Sequence, residues 1–373
     1  MGYGNLSGHR AMALDERRNT AYESALAKVV GPESVVLDLG AGLGLHGLLA
    51  ARLGAKRVYL VEPEDIGLLA LEAAKANGLA ERIKLLQGKI EDVEVPELVD
   101  VIVAVFTGNF LLEEDLLPSL FFARDRFLKP GGALIPDRAV MEAAPVHAPE
   151  LHEREIASWS KPCLDLDLSS ARQYGRNTIY YDRDRLERAQ YLSKPADLLC
   201  LDLAAAVHTD CTAQASYSVE QAGICHGWAG WFRMRLGDDW LSTAPQEPRV
   251  HWSPAFLPVD PPIEVSKGDQ LRFRLVRPSF GPWSWFVESK EGEQRHSTLF
   301  ARPLPPKALS KISPDYRPSV SKDGETTRFV LAHMDGHRSV QDLARLLSDQ
   351  FPSVPGGLDK SLAFVRKIMK QYG

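Results

Sequence analysis

The chain has 373 residues, 45% hydrophobic and 25% charged, with 44 Lys and Arg against 49 Asp and Glu for a net charge of −5. That length supports two or three domains, and the acidic balance leaves no general basic footprint of the kind a nucleic-acid partner requires. Four cysteines without metal-ligand spacing, no apolar run of membrane-spanning length and no signal-peptide core point to a soluble cytoplasmic protein with no metal site and no membrane partner.

Residues 3–28 are expected to be helical, with Ala11, Met12, Leu14, Ala21, Ala25 and Leu26 spaced to face a domain. The apolar run from Val35 reads as a buried parallel strand, and Gly40, Gly42 and Gly44 behind it let a tight turn bring backbone close to a ligand. Gly-x-Gly-x-Gly preceded by Asp38 departs from the Gly-x-Gly-x-x-Gly of dinucleotide folds. A second strand, 58–61, ends at Glu62, where a carboxylate can accept both hydroxyls of a ribose. After a helix over 66–77 closed by Gly78 and a strand over 83–86, Gln87-Gly-Lys-Ile-Glu91 brings a further acid, Glu91, that could reach an adenine amino group. The plain alternative makes Glu62 and Glu91 solvated loop carboxylates. Glycine loop, ribose acid and adenine acid, in that order at strand ends, resemble the class I S-adenosylmethionine-dependent methyltransferases. The resemblance implies S-adenosyl-L-methionine as donor and S-adenosyl-L-homocysteine as product, with Asp38, Gly40, Gly42, Gly44, Glu62, Gly88, Lys89 and Glu91 as donor contacts.

A fourth strand, 99–103, leads into Ala104-Val-Phe-Thr-Gly-Asn-Phe-Leu-Leu-Glu-Glu114, then a helix through Phe121-Phe-Ala-Arg-Asp-Arg-Phe-Leu128, a Pro130-Gly-Gly132 turn, a strand over 133–135 and Pro136-Asp-Arg138. Beyond Val140 the texture changes to alternating runs at 213–219, 230–236, 270–276 and 283–287, the pattern of an antiparallel barrel or sandwich. These steps, together with Tyr3-x5-His9-x2-Met12-x2-Asp15-Glu16-x-Arg18-x3-Tyr22, resemble the protein arginine methyltransferases. The resemblance implies a Rossmann-like α/β domain with a lid helix (1–138), then an antiparallel β-barrel substrate domain (139–302) whose arm at about 164–195 makes a homodimer. It also implies that Arg18 holds the donor's carboxylate while His9 and Met12 pack near its reacting end. Read alone, Arg18 is one of several arginines on an exposed helix face.

The family places two glutamates nine positions apart to grip a guanidinium; Glu114 matches the later one, and Val105 stands at the earlier. Glu113, beside Glu114, is expected to point elsewhere. Glu114 is the candidate to orient the nucleophile. In Arg249-Val-His-Trp252, which resembles the family's Thr-His-Trp triplet with Val250 in the threonine's place, His251 is expected to pair with an acid of the hairpin or to assist proton removal. The alternative is a core histidine beside a packed tryptophan.

A proline-rich linker (303–313) precedes a tail module (314–373), with helices expected over 325–334, after a Ser339-Val-Gln-Asp342 capping box, and along Leu358, Leu362, Val365 and Met369. This small, mostly helical, winged-helix-like module resembles the PqqD-like domains, which bind leader peptides by adding them as a strand beside a small sheet. From Lys322 onward eight Lys and Arg face six Asp and Glu, so DNA is not the expected partner. The reading is a methyltransferase acting on a peptide or protein side chain, foremost a ribosomal precursor peptide captured through its leader. Alternatives are an ordinary protein arginine N-methyltransferase and a catalytically weak peptide-binding scaffold.

Overall fold

The structure, a computed structural model, describes residues 6–311, 313–351 and 357–372. The single N-terminal helix expected over 3–28 is two helices, α1 (Leu6–Ala13) and α2 (Glu16–Val29); Tyr3 lies outside the described residues. The break falls at Asp15, whose Oδ1 accepts a hydrogen bond from the Arg18 amide at 3.0 Å. A short acid there satisfies an orphan donor of α2, which it would not do inside a continuous helix.

β1 (Val35–Leu39) is buried at every residue, as a strand covered on both faces must be. It is followed by α3 (Leu45–Arg52), β2 (Arg57–Glu62), α4 (Gly67–Ala76), β3 (Ile83–Gln87), β4 (Val99–Ala104), α5 (Leu117–Phe127) and β5 (Leu128–Ile135). The strands form a parallel sheet in the order β3-β2-β1-β4-β5. The order reverses between β1 and β4, and in open α/β sheets the carboxyl ends of the strands at such a point form the ligand crevice. The glycine turn follows β1 there, and Glu62 ends β2. The expected Pro130-Gly-Gly132 turn is drawn into β5, which begins at Leu128.

The next part is antiparallel: β6 (Arg138–His147), the short helices α6 (Pro149–Glu155) and α7 (Arg172–Gly175), β7 (Tyr180–Tyr181), α8 (Arg183–Leu186) and β8 (Gln190–Tyr191). Then come β9 (Ala196–Asp202), β10 (Cys211–Ser218), β11 (Gly223–Leu236), β12 (Asp239–Ser242), β13 (Ala255–Val265), β14 (Gln270–Arg277), β15 (Ser284–Ser289) and β16 (Gly292–Ser297). The barrel expected from the alternation is not closed. The strands hydrogen-bond as two sheets, β10-β14-β15-β16 and β7-β13-β11-β6-β8, with β9 on β6 and β12 on β11. Trp228 of one sheet stacks on Phe273 of the other at 4.9 Å between ring centroids, and Trp285 and Tyr217 are buried with them. Large aromatic side chains fill the space between the sheets, so the apolar faces are covered without hydrogen-bonded closure.

The segment between β4 and α5 is a hairpin bridged at Gly108 and Leu111, and the antiparallel region holds it at four places. Trp252 Nε1 donates to the Thr107 carbonyl at 2.8 Å, and the Ser253 amide to Asn109 Oδ1 at 2.9 Å. Trp283 Nε1 donates to Glu113 Oε2 at 3.0 Å, and Arg277 grips Asp115 with two bonds of 2.9 and 2.6 Å.

Residues 304–373 form a second compact unit: α9 (Pro306–Ser310), α10 (Lys322–His333), α11 (Val340–Gln350) and α12 (Gly357–Tyr372). Val330, Leu343, Ala344, Leu347, Val365 and Ile368 form its core, and Ser339 and Asp342 cap α11 reciprocally. Among its described residues there is no strand, so the winged form and the sheet expected to receive a peptide are replaced by helices joined through turns such as that at Asp335, whose Oδ1 accepts from the His337 and Arg338 amides. No described helix is long and apolar enough to cross a membrane.

The Arg277 side chain is 4% exposed and Asp115 has φ of 53°, a conformation that asparagine also tolerates, so Asp115→Asn removes charge with little new strain. Leaving the buried guanidinium half paired should cost about 3 kcal/mol. Urea unfolding of the variant measures this; a loss indistinguishable from zero would show that the pair does not anchor the hairpin.

Candidate active site

The donor side is built on backbone that side chains would obstruct. Gly40, Gly42 and Gly44 have φ of 68°, 53° and 72°, the left-handed region that favours glycine. A Cβ on Gly40 would stand 2.2 Å from Phe106, and one on Gly42 would stand 2.8 Å from the His9 ring, so α1 lies directly on the turn. Met12, on the same helix, is half-buried.

Three buried ionisable groups surround this turn. Glu62, 5% exposed, accepts from the Gly42 amide at 2.7 Å and the Glu64 amide at 3.0 Å. Asp38 accepts from the Gly47 amide at 2.7 Å; burial, and secondarily the charge of Glu62, pushes its carboxyl up to about 7 despite that bond. Arg18, 3% exposed, donates to the Met12 carbonyl at 2.6 Å and to Asn19 Oδ1 at 2.8 Å, and among the described residues no carboxylate lies within ion-pair distance of it. The exposed-face alternative for Arg18 therefore fails. A buried cation, a buried strand-end carboxylate and a glycine turn match the carboxylate, diol and close backbone approach of an S-adenosylmethionine-type donor. Farther out, Gly88 has φ of 145°, while Lys89 and Glu91 are exposed, with the Ser119 hydroxyl donating to Glu91.

On the acceptor side, Val105 is half-buried and packs on the core, and Glu114 is exposed on the hairpin. A Cβ on Gly108 would meet Glu113 Cβ at 2.7 Å and Glu114 Cγ at 3.1 Å, so both glutamates run beside that glycine. Glu113 is held by Trp283, outside any role foreseen for it. The sequence reading also missed Tyr181, in the short strand β7: its buried hydroxyl titrates well above its ordinary value because of burial, and then because of the charges on Glu113 and Glu114. Nothing in the local pattern around Tyr181 signals this.

His251 corrects an expectation. Its partner is Asp15, not a hairpin acid: Asp15 Oδ2 accepts from the His251 amide at 2.7 Å and lies 3.1 Å from Nδ1. Burial lifts the Asp15 carboxyl, but bonds from His251 and the Arg18 amide outweigh it and hold the group below its usual value. Burial, helped by the charge of Arg18, lowers the His251 imidazole against the pull of Asp15. A carboxylate only accepts, so Nδ1 carries the proton and the neutral ring presents the Nε2 lone pair. Asp15 stood within the quoted N-terminal motif; its N-cap position before Glu16 was the available signal.

Residues 36–132 match the family described as "Methyltransferase domain", and residues 137–281 match "Arginine methyltransferase oligomerization subdomain". Protein arginine N-methyltransferase 6 of Xenopus tropicalis is 31% identical over 286 residues, covering 72% of this chain and 83% of its own. The probable protein arginine N-methyltransferase 6 of Arabidopsis thaliana is 30% identical, covering 71% and 62%. Among solved structures, the Trypanosoma brucei PRMT1 enzyme–prozyme complex with AdoHcy superposes with a TM-score of 0.71 at 24% identity, covering 79% of this chain and 99% of that one. Arabidopsis protein arginine methyltransferase 10 gives 0.66 at 25%, with the same coverage. With a relative 31% identical and covered over 83% of its length, and with both domain matches in chain order, the chain belongs to the protein arginine N-methyltransferase family of S-adenosylmethionine-dependent enzymes.

Proposed function

We propose that this protein methylates arginine side chains of a protein or peptide, using S-adenosylmethionine as donor. The observation that carries the reading is the Asp15–His251 pair, which joins the helix bearing Arg18 to the loop that holds the acidic hairpin. When bound, the donor supplies an electrophilic methyl group on a sulfonium. Arg18 holds the donor's carboxylate, Glu62 its ribose and Glu91 its adenine, with Gly88 and Lys89 beside it. Gly40, Gly42, Gly44 and Asp38 shape the turn, while His9 and Met12 exclude water at the reacting end. Glu114 orients the guanidinium and favours charge on the nitrogen that attacks, and His251 receives the released proton at Nε2 while Asp15 steadies the resulting imidazolium.

Val105 makes this an acceptor site with a single family glutamate, one that binds arginine weakly and admits other nitrogen nucleophiles. The exposed apolar residues Leu164, Leu166 and Leu168, within the oligomerization-subdomain match, support a homodimer through this arm. The tail, with its own core and its sequence resemblance to leader-binding modules, is read as a peptide-capture unit that raises the local concentration of substrate.

On an arginine-containing peptide, Glu114→Gln should lower kcat/KM by about 100-fold. Val105→Glu should raise it, with most of the gain in KM. Loss of activity in Val105→Glu on arginine, with a gain for no other residue, would contradict the acceptor assignment. Deleting residues 307–373 should leave turnover of short peptides unchanged while raising KM for precursor peptides encoded beside the gene by about tenfold or more. Equal effects on both substrates would remove the capture role of the tail.

A further inference from the structure

His46 follows the first residue of α3, just past the glycine turn, and none of the donor contacts proposed above includes it. It is 6% exposed, and its ring centroid lies 4.5 Å from that of Tyr22. Tyr22 and Arg18 are four residues apart on α2 and therefore share a face, and that face meets α3 at His46. The adjacent Gly47 amide is fixed on Asp38 Oδ2 at 2.7 Å, which sets the first turn of α3. The His46 Nε2 atom is buried and has no hydrogen-bond partner among the described residues, an arrangement that native proteins avoid unless something else satisfies the group. Burial, with the nearby charge of Arg18, pushes the imidazole down to about 3, so the ring is neutral and offers a lone pair.

The amino-acid end of the donor carries two opposite charges one carbon apart. Arg18 matches the carboxylate but repels the ammonium beside it, so that ammonium needs an acceptor which a protonated ring could not supply. We propose that His46 is a donor-binding residue whose Nε2 accepts a hydrogen bond from the α-ammonium of S-adenosylmethionine while Arg18 receives its carboxylate. This inference rests on the donor reading above.

Calorimetric titration of the full-length protein with three probes tests it: S-adenosylhomocysteine, its deaminated analogue and 5′-methylthioadenosine. His46→Leu should raise Kd for S-adenosylhomocysteine by about fivefold to tenfold and leave the other two unchanged. Equal weakening of all three, or of none, would overturn the proposal. On the wild type, nitrogen NMR of the imidazoles gives an independent readout that holds even if the variant does not fold. One buried unprotonated Nε2 should shift with S-adenosylhomocysteine and not with methylthioadenosine, and no selective shift would also overturn it. Failure of the wild type to bind S-adenosylhomocysteine at all would remove the donor reading and this inference with it, whereas binding indifferent to His46 removes the inference alone.

Discussion

Asp15 is a single carboxylate shared by the two halves of the candidate active site. One oxygen caps α2 through the Arg18 amide, fixing the helix that carries Arg18 and Tyr22. The other binds the backbone and ring of His251, whose neighbour Trp252 donates to Thr107 at the start of the acidic hairpin. The helix that carries Arg18 and the acidic hairpin are therefore connected through two consecutive residues, His251 and Trp252. Arg17, next to Arg18, strengthens the same junction through the carbonyls of Ser242 and Pro248.

Around that junction charge is held away from water. Arg18, Asp15, Asp38 and Glu62 are each less than 10% exposed and each bonds to fixed amide or carbonyl dipoles, which for Asp38 only partly offset the burial that raises it. Such preorganised dipoles need not reorient as charge moves during methyl transfer, and they act more strongly in a low-dielectric site than in water. The hairpin departs from this plan. Where the family pattern would add a second carboxylate, Val105 packs on the core, and Tyr181 and Trp283 surround Glu113 instead.

Much of the candidate donor site was legible because its signals are local. Asp38, three spaced glycines and Glu62 lie within 25 residues of one another at strand ends, where the periodicity of the parallel strands itself marks the position. The Ser339–Asp342 capping box was equally readable, since it needs only four residues. The partner of His251 was not, because Asp15 lies 236 positions away and only the packing of α2 against the antiparallel region brings them together. Whether alternating strands close into a barrel or pair as two sheets depends on long-range pairing that no single strand encodes. Tyr181 and His46 escaped notice for a related reason: each is one residue in an otherwise ordinary run, given meaning by neighbours from other elements.

Transfer of an isotopically labelled methyl group from S-adenosylmethionine to an arginine- and lysine-containing protein substrate, followed by fragment mass mapping of the labelled atom, tests the central claim most directly. The account predicts label on guanidinium nitrogens, slowed by about 100-fold when Glu114 is neutralised. Label confined to another side chain, or none despite measured donor binding, would contradict it.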